Sequence, residues 1–378
     1  MNQQKLHVLV LYDLPEKWTD HRNPFYLLNN IERPTERDVC RAIKKLGWSL
    51  SVCGVFDDLE EITSTIEDLK PDCVFNLCET FRGQRVHESH IAGLLQMHGI
   101  PFTGCKADAL QLAKDKALTK MIAKYIGVKV PRFEIVRRNE KSDFKKVGYP
   151  AIVKPLDREG SEGIAIASVV YDEAGAAERI SFVHDRLKSD VIVEQYIPGR
   201  ELYVGVMQKQ EEIISFPPRE LFMDGLKENQ PMIATFKAKW DEQYRKRNQV
   251  STGSAKNLMV HQIDDLDRLS KRLFETFKMS GYARVDWRLS PEGEAYLIEV
   301  NPNPALSMDD DFAKAGKSIG LQYNDLIRMI VLESLPRGTS DQRSNSAPPK
   351  SNKNLFSDQY LNATESIHQT NSKNSRAS

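Results

Sequence analysis

The chain has 378 residues, of which 53 are basic and 53 are acidic, so its formal net charge is zero. This balance does not favour binding to nucleic acid or to an anionic membrane, and no uncharged apolar run reaches the ~18 residues of a membrane span. The length indicates about two or three domains. The five cysteines are odd in number and lack zinc-motif spacing, so we expect a cytoplasmic protein with reduced thiols.

The first part of the chain, residues 1–103, alternates short apolar runs with helical patterns. The apolar runs are “LHVLVLY”, “WSLSVCGV” and “DCVFNL”, and the helical patterns include “ERDVCRAIKKLG” and “DLEEITSTIEDLK”. Strands that alternate with helices are typical of a parallel sheet covered by helices. The sequence therefore predicts an N-terminal α/β domain.

Two β-rich lobes are predicted next, over residues 104–187 and 188–336. The first begins with the amphipathic helix “KDKALTKMIAKYIGV” and continues through “YPAIVKPLDREGSEGIAIASVV”, which reads as a strand, a glycine-rich loop and a second strand. The second contains the strands “DVIVEQYI” and “RELYVGVM”, the helix “DDLDRLSKRLFETFKMSG” and a hairpin. Residues 337–378 are polar and poor in aliphatic side chains, so we expect them to be disordered.

The segment “GYARVDWRLSPEGEAYLIEVNPNPALS”, residues 281–307, predicts a β-hairpin. Its “SPEG” fits a type I turn, with proline at the second position and glycine at the fourth. If the hairpin is symmetric about the point between the glutamate and the glycine of that turn, Asp286 lies opposite Glu299. Arg284 then lies opposite Asn301, and one face of the hairpin carries all four side chains.

Two carboxylates that face each other across an antiparallel pair repel, and burial raises the cost of this arrangement. The apolar surroundings in “AYLIEVNP” indicate that the pair is not on an open surface. A cation would compensate the two charges, and oxygen-only ligands favour Mg²⁺ or Mn²⁺. The alternative is a solvated face on which Asp286 and Glu299 pair with nearby lysines.

The stretch “YPAIVKPLDREGSEG” indicates a phosphate site. Lys154 ends an apolar strand, and the loop after it contains Gly160, Ser161 and Gly163. Glycines allow backbone amides to approach a phosphate closely, and the lysine needs an anionic partner. The alternative is an ordinary glycine turn beside a lysine whose ammonium group reaches solvent.

Two glutamates lie near the ends of adjoining strands, Glu194 in “VIVEQYI” and Glu201 in “RELYVGV”. They could accept hydrogen bonds from an adenine amino group and from ribose hydroxyls, although either alone could be an ordinary edge-strand charge. A lysine-and-glycine loop, paired acceptors and an acidic hairpin follow one another along the chain. This is the order needed to clamp a Mg²⁺-nucleotide between two β-rich lobes.

This ordered set resembles the ATP-grasp superfamily, and within it the D-alanine:D-alanine ligase-like carboxylate-amine ligases. The resemblance covers about residues 70–335, and the segments that carry it are “GIPFTGCKADALQLAKDKALTKMIAKYIGVKVPRF”, “YPAIVKPLDREGSEGI”, “VIVEQYIPGREL”, “TFKAKW” and the hairpin. It implies an α/β fold in which an N-terminal parallel-sheet domain precedes two β-rich lobes that clamp ATP. It also implies Mg²⁺, or Mn²⁺, as the bound ion.

The resemblance implies a role for each matching position. The ATP contacts would be, in chain order, Lys116, Lys154, Gly160, Ser161, Gly163, Glu194, Ile197, Glu201 and Lys239. Among them the lysines would bind phosphates, the glycine loop would close over them, and the two glutamates with Ile197 would contact the nucleoside. The metal ligands would be Asp286, Glu299 and Asn301. Arg284 would stabilise charge on the transferring phosphoryl group and on the tetrahedral intermediate.

The regions that would bind the acid and the amine depart from the family pattern. The first strand lacks the glycine-rich turn and Ser-x-Glu segment of D-alanine ligases. Glu79 and Glu88 in “FNLCETFRGQRVHESH” are candidates for the acid pocket, and the alternative is a polar turn at a helix N-terminus. After the hairpin the chain reads “PALSMDDD”, in which Ala305, Ser307 and Asp310 are candidates for the amine site. The acidic cluster predicts an amine that is cationic or is not a free α-amino acid, unless the aspartates cap the next helix.

The resemblance implies an ATP-dependent ligase that activates a small-molecule carboxylate as an acyl phosphate and joins it to an amine. Such an enzyme acts by aligning its reactants and neutralising charge. Two alternatives remain, a catalytically idle nucleotide-binding scaffold and an ATP-grasp kinase that releases a stable phosphoproduct. The expected partners are small molecules, without nucleic acid or membrane, and a homodimer is left open.

Overall fold

Three β-sheets organise the part of the chain that this computed structural model describes, residues 5–17, 22–140, 144–158, 160–227 and 230–336. The predicted disordered segment 337–378 lies outside the described residues. Within these ranges, no helix has the length and apolar content needed to cross a membrane. The described residues as far as Leu335 form one compact unit, so the lobe boundaries predicted after residues 103 and 187 stay a prediction.

The N-terminal sheet is parallel, as the alternating sequence predicts. Its strands are β1 (His7–Asp13), β2 (Ser49–Val55) and β3 (Cys73–Leu77), in the order β2-β1-β3. The helices that accompany them are α1 (Pro24–Asn29), α2 (Pro34–Lys45), α3 (Leu59–Leu69) and α4 (Glu88–His98). Both faces of β1 are buried, because Val8 and Val10 enter one apolar cluster while Leu9 and Leu11 enter another. Burial on both faces explains why the strands read as continuous apolar runs.

The central sheet is antiparallel. The elements of this region are α5 (Ala107–Lys114), α6 (Lys116–Tyr125), β4 (Phe133–Val136), β5 (Ala151–Pro155), β6 (Val169–Val170), α7 (Glu173–Phe182) and β7 (Val191–Gln195). The strand order is β4-β7-β5-β6. The strand predicted in “IAIASVV” shortens to β6, because Ile166–Ser168 form a 3₁₀ turn in which the Ser168 amide donates to the Ala165 carbonyl at 2.9 Å.

The C-terminal sheet is also antiparallel. Its strands are β8 (Arg200–Lys209), β9 (Glu212–Ser215), β10 (Arg219–Met223), β11 (Val250–Ser254), β12 (Tyr282–Leu289) and β13 (Ala295–Pro302). The order is β11-β10-β8-β12-β13, and β9 pairs with β8. The helices of this region are α8 (Phe236–Trp240), α9 (Glu242–Arg247), α10 (Val260–Thr276), α11 (Asp311–Ser318) and α12 (Tyr323–Ser334). The mixed α/β fold class predicted from the sequence is confirmed.

Trp287 determines which face of β12 carries the charged side chains. Its side chain is fully buried, and the indole Nε1 donates to the Ser270 hydroxyl of α10 at 3.0 Å. Burying a large apolar side chain contributes roughly 3 kcal/mol. Because successive side chains of a strand point to opposite faces, Arg284, Asp286 and Arg288 share the other face.

Candidate active site

The β12–β13 hairpin places the predicted acidic pair face to face. Asp286 pairs with Glu299, and Arg284 pairs with Asn301, in the antiparallel register that the sequence predicts. Asp286 is 3% exposed, and Glu299 is partly buried. The two carboxylates therefore belong to one ribbon, and this part of the register prediction is confirmed.

The same prediction was wrong at the turn end of the hairpin. Leu289 pairs there with Ala295, one residue away from the predicted register, because the Ser290 amide donates to the Glu294 carbonyl at 2.9 Å and closes a turn one residue shorter than that register requires. A β-bulge at Ile298 then restores the predicted register farther from the turn. A bulge adds one residue to one strand and redirects the side chains beside it.

The bulge is bound by a lysine that the sequence reasoning did not identify. The Lys120 ammonium group is 1% exposed, donates to the Ile298 carbonyl at 2.7 Å and lies 3.2 Å from the Glu194 carboxylate. Burial lowers the pKa of Lys120, and Glu194 offsets this only in part. Lys120 follows Lys116 by one turn of α6, and this spacing is the signal that could have identified it.

Glu194 is the centre of a buried ion-pair cluster. Lys154 lies 2.8 Å from one of its carboxylate oxygens and Lys120 lies 3.2 Å from the other, and Glu194 is 1% exposed. Burial alone would raise the pKa of Glu194, but the two ammonium groups outweigh it and lower the pKa. The predicted adenine contact and one predicted phosphate contact therefore bind each other in this structure.

The two carboxylates of the hairpin have different surroundings. Arg284 binds both oxygens of Asp286, at 2.7 and 2.8 Å. Burial raises the pKa of Asp286 to about 6, while Arg284 opposes the rise and Glu299 adds to it. Burial would also raise the pKa of Glu299, but Lys239, Lys116 and two further cationic groups outweigh it and lower that pKa to about 2. Glu299 is therefore an anion among cations.

Most of the predicted nucleotide residues line one cavity between the central and C-terminal sheets, which we name the hinge cavity. The predicted residues that line it are Lys116, Lys154, Ser161, Glu194, Ile197, Glu201, Lys239, Asp286 and Glu299. Pro131, Ile152, Ile164 and Ile233 contribute apolar walls. Apolar walls with a few converging charged groups are typical of a small-molecule site.

The glycine loop after β5 is fastened to the segment that leads into α8. The Ser161 hydroxyl donates to the Ala234 carbonyl at 2.6 Å, and the Trp240 indole donates to the Gly160 carbonyl at 3.2 Å. Gly163 is not among the residues that line the three cavities described in this section. Its φ is 75°, and a Cβ there would lie 2.6 Å from a neighbouring side chain, so the backbone requires glycine.

Glu201, the predicted ribose contact, is held by two donors. The Tyr203 hydroxyl donates to one carboxylate oxygen at 3.0 Å, and the Arg288 guanidinium donates to the other at 3.2 Å. Arg288 is 3% exposed and lines the hinge cavity, although no sequence argument singled it out. Its spacing of two residues from Asp286 on β12 is the signal that could have done so.

A second cavity, the hairpin cavity, joins the hinge cavity to the predicted substrate region. The predicted residues that line it are Glu79, Glu88, Lys116, Gly160, Lys239, Arg284, Glu299, Asn301 and Ala305. Lys116, Lys239 and Glu299 line both cavities. Arg284 and Asn301 therefore face the region in which Glu79, Glu88 and Ala305 lie.

The third cavity, the N-terminal cavity, lies at the carboxyl ends of β1 and β3. Glu79, Glu88 and Ala305 also line this cavity. Asn76, which lines it too, is 2% exposed, and its side-chain nitrogen has no hydrogen-bond partner in the described part of the chain. Open α/β sheets bind ligands outside the carboxyl ends of their strands. The three residues proposed for substrate binding are therefore adjacent to a suitable edge.

Two other predicted substrate residues do not line these three cavities. Ser307 is 4% exposed, and its amide donates to the Asp310 carboxylate at 2.8 Å. Asp310 immediately precedes α11, and Asp311, the first residue of that helix, pairs with Arg219 at 2.6 Å. Asp310 is the N-cap residue of α11 but its side chain makes no capping hydrogen bond, so these partners give the acidic cluster a structural role without the helix cap that the alternative predicts.

The hairpin offers an oxygen-rich ligand set that fits Mg²⁺. Asp286 and Glu299 face each other, and Asn301 lies two residues farther along β13. The side-chain nitrogen of Asn301 is buried without a hydrogen-bond partner among the described residues, so no structural bond fixes this amide end. Those residues contain no group of three or more His, Cys, Asp or Glu placed to hold a metal. The candidate site is instead a mixed carboxylate and amide set, suited to Mg²⁺ or Mn²⁺.

Comparison with known sequences supports one family. Residues 122–332 match the family model described as D-ala D-ala ligase C-terminus. A D-alanine--D-alanine ligase from Syntrophotalea carbinolica is 30% identical over 306 residues, which cover 78% of this chain and 91% of that protein.

Comparison with solved structures supports the same fold. The D-alanine--D-alanine ligase of Bacillus anthracis complexed with ATP aligns at a TM-score of 0.64 and 20% identity, covering 87% of this chain and 97% of that one. The VanG D-Ala:D-Ser ligase of Enterococcus faecalis aligns at a TM-score of 0.63 and 18% identity, covering 88% and 100%. Together with the sequence matches, these alignments show that the chain belongs to the D-alanine–D-alanine ligase family of the ATP-grasp superfamily.

Proposed function

We propose that the chain is an ATP-dependent ligase that joins a carboxylate to an amine through an acyl phosphate. The observation that carries this proposal is the pairing of Asp286 with Glu299 on one hairpin, beside cationic groups that lower the pKa of Glu299 to about 2. A protein that only binds a nucleotide has no need for opposed carboxylates beside an arginine and several lysines. Membership of the family supports the same activity.

In this proposal the hinge cavity binds the nucleoside of ATP. Ile197 borders the base, and Glu201 accepts hydrogen bonds from the ribose. Lys116, Lys154 and Lys239 bind phosphate oxygens, and all three line the hinge cavity. Lys154 already pairs with Glu194 at 2.8 Å, so that carboxylate holds the ammonium group in place before a phosphate arrives.

The first step transfers the γ-phosphoryl group of ATP. An oxygen of the substrate carboxylate attacks the γ-phosphorus, the bond to the bridging oxygen breaks, and ADP leaves with that electron pair. Arg284 lines the hairpin cavity with Lys239 and Lys116, and these cations neutralise the oxygens that gain charge. The protein therefore contributes alignment and charge stabilisation rather than a covalent intermediate of its own.

The second step forms the amide. The amine nitrogen attacks the carbonyl carbon of the acyl phosphate, phosphate leaves with the electrons of the broken C–O bond, and the nitrogen loses a proton. Water would hydrolyse the acyl phosphate, so it must be excluded. The bonds from Ser161 to Ala234 and from Trp240 to Gly160 hold the glycine loop over this region.

Asp286, Glu299 and Asn301 are the residues that would hold Mg²⁺. When bound, the ion neutralises charge on phosphate oxygens. Arg284 binds both oxygens of Asp286 in this structure. A carboxylate offers about four lone-pair sites, so Asp286 can keep Arg284 while it binds a cation.

The N-terminal cavity would bind the acid substrate, next to the hairpin cavity in which transfer takes place. Glu79, Glu88 and Ala305 line both cavities and so connect the two.

A product assay tests the proposal. The full chain is incubated with Mg·ATP and a panel of amino acids, other carboxylates and amines that includes D-alanine, and both ADP and inorganic phosphate are measured. A ligase releases the two in equal amounts only when an acid and an amine are both present. ADP without inorganic phosphate would indicate a kinase, and no ADP across the panel would indicate a scaffold. D-alanine as the best acid and the best amine would define a D-alanine–D-alanine ligase.

A further inference from the structure

Arg288 places a buried positive charge in the wall of the hinge cavity. It is 3% exposed and lies on β12 directly opposite Glu201 of β8. It shares its face of the strand with Arg284 and Asp286, so it extends the charged surface of the hairpin toward residues 196–199 between β7 and β8, which we name the hinge. Burying a guanidinium costs free energy unless its N–H groups have acceptors. The acceptors of Arg288 therefore indicate what this side chain holds in place.

Four acceptors bind this guanidinium. Its Nε donates to the Ile197 carbonyl at 2.9 Å, and one terminal nitrogen donates to Glu201 at 3.2 Å. The other terminal nitrogen donates to the Tyr196 hydroxyl at 3.2 Å and to the Met232 carbonyl. These acceptors belong to three parts of the wall, namely the hinge, β8 and the segment before α8. One rigid planar fork therefore joins three walls of the cavity.

Glu201 receives one fixed hydrogen bond on each oxygen. Tyr203 donates to the first oxygen at 3.0 Å and Arg288 donates to the second at 3.2 Å. Because a carboxylate has about four lone-pair sites, about two remain after these bonds form. Glu201 lines the hinge cavity, so the remaining sites can accept hydrogen bonds from a ligand there.

We propose that Arg288 is a positioning residue for nucleotide recognition, which holds Glu201 in the orientation that accepts hydrogen bonds from ribose hydroxyls. The inference rests on the proposed function, which places a nucleotide in the hinge cavity. Without Arg288, Glu201 loses a charge-assisted partner and its side chain gains rotamer freedom. The enzyme then loses its preference for a nucleotide that carries ribose hydroxyls.

A purely structural role for Arg288 makes a different prediction. If the guanidinium only fastened the hinge to the segment around Met232, its removal would weaken the binding of every nucleotide by a similar factor. A role in orienting Glu201 reduces the affinity for ATP but hardly changes the affinity for a nucleotide without ribose hydroxyls. The ratio of the two affinities separates these roles.

Calorimetric titration of the full chain measures this ratio with Mg·ATP and Mg·2′,3′-dideoxy-ATP as probes. We expect the wild type to bind ATP at least about tenfold more tightly, since hydrogen bonds to a charged group are lost with the dideoxy compound. In Arg288→Met the preference falls to about twofold or less. Glu201→Ala has the same low ratio, and adding Arg288→Met to it changes the ratio no further, because the two residues act through one interaction.

Two further variants control the experiment. Arg200→Met removes a neighbouring arginine that pairs with Glu220 at 2.7 Å and is not among the residues that line the hinge cavity, so it leaves the ratio at the wild-type value. Arg288→Lys keeps the charge but not the fork, so it gives an intermediate ratio and serves if the methionine variant does not fold.

Two outcomes would overturn the inference but leave the proposed ligase activity untouched. One is a wild type that binds ATP and dideoxy-ATP equally well. The other is a wild-type ratio that persists in the Arg288 variants. A wild type that does not bind Mg·ATP at all would instead refute the proposed function, and this inference with it.

Discussion

The hinge cavity and the N-terminal cavity hold their charges in different ways. Glu194 in the wall of the hinge cavity pairs with Lys120, and both side chains are 1% exposed. Glu79 in the wall of the N-terminal cavity pairs with Arg85, and these side chains are 50% and 48% exposed. The hinge cavity therefore contains a fully buried ion pair, whereas the N-terminal cavity contains an exposed pair beside a partly buried one, Arg33 with Glu36, whose side chains are 19% and 14% exposed.

This difference indicates where substrate preference can change. Removing one partner of a buried pair typically costs about 3–5 kcal/mol, whereas an exposed pair contributes about 0–1 kcal/mol. Exposed side chains of the N-terminal cavity such as Glu79 can therefore be exchanged with little loss of stability, but the buried pair of Glu194 and Lys120 at the hinge cavity cannot. We infer that the nucleotide side is the constant part of the site and the acid side the adaptable part.

The largest effect is expected from Glu299→Gln, which removes the charge of one predicted metal ligand. ADP formation in the presence of acid and amine should fall roughly 1,000-fold. Without this ligand the site would lose the ion that balances charge on the transferring phosphoryl group. The measurement is a coupled ADP assay. Glu292→Gln on the exposed turn of the same hairpin is the matched control and should keep wild-type turnover. Equal turnover in both variants would contradict the assignment of Glu299.

Lys120→Met tests the buried side of the comparison. The change leaves Glu194 with Lys154 as its one cationic partner in the described cluster and removes the donor to the Ile298 carbonyl. We expect a loss of about 3 kcal/mol in the free energy of unfolding, measured with urea. The exposed Lys124, one turn farther along α6, provides the control variant Lys124→Met, which should change stability by less than about 0.5 kcal/mol. Similar losses of unfolding free energy in Lys120→Met and Lys124→Met would contradict a stabilising role for the buried cluster.

Arg33→Gln tests whether the N-terminal cavity selects the acid. Arg33 lines this cavity and pairs with Glu36 at 2.7 Å. The apparent KM for the acid identified in the product assay should rise about tenfold, while the Kd for Mg·ATP stays within about twofold. Arg37→Gln, at a residue of α2 that is not among those lining the cavity, is the control. A change in ATP affinity without a change in acid KM would contradict the division of roles.

Arg85→Met should have the smallest effect. Its partner Glu79 is half exposed, and solvent screens their attraction. The free energy of unfolding should change by less than about 1 kcal/mol in urea titrations. A loss as large as that of Lys120→Met would show that the two cavities do not differ as proposed.

Local rules explain what the sequence could predict. The “SPEG” turn and strand alternation were enough to predict a hairpin that carries Asp286 and Glu299. The alternation of apolar runs with helical patterns in the first domain was enough to predict a parallel sheet. Each of these features depends on neighbours within a few residues or on a repeated pattern along the chain.

Long-range contacts explain what the sequence could not predict. Lys120 binds the carbonyl of Ile298, 178 residues away, and Arg288 binds Ile197 across 91 residues. The bulge at Ile298 leaves no local signal in the sequence. The predicted register beyond it was right only because the extra residue of the bulge compensates for a turn that is one residue shorter than predicted. Such partners become visible only when the sheets are assembled.

We propose that Asp286 and Glu299 together would hold the divalent ion that accompanies ATP. Calorimetric titration of the full chain with ATP, in the presence of Mg²⁺ and after its removal with a chelator, tests this most directly. We predict that Mg²⁺ tightens ATP binding at least about tenfold in the wild type and does not do so in Glu299→Gln. Equal ATP affinity of the wild type with and without Mg²⁺ would contradict the claim.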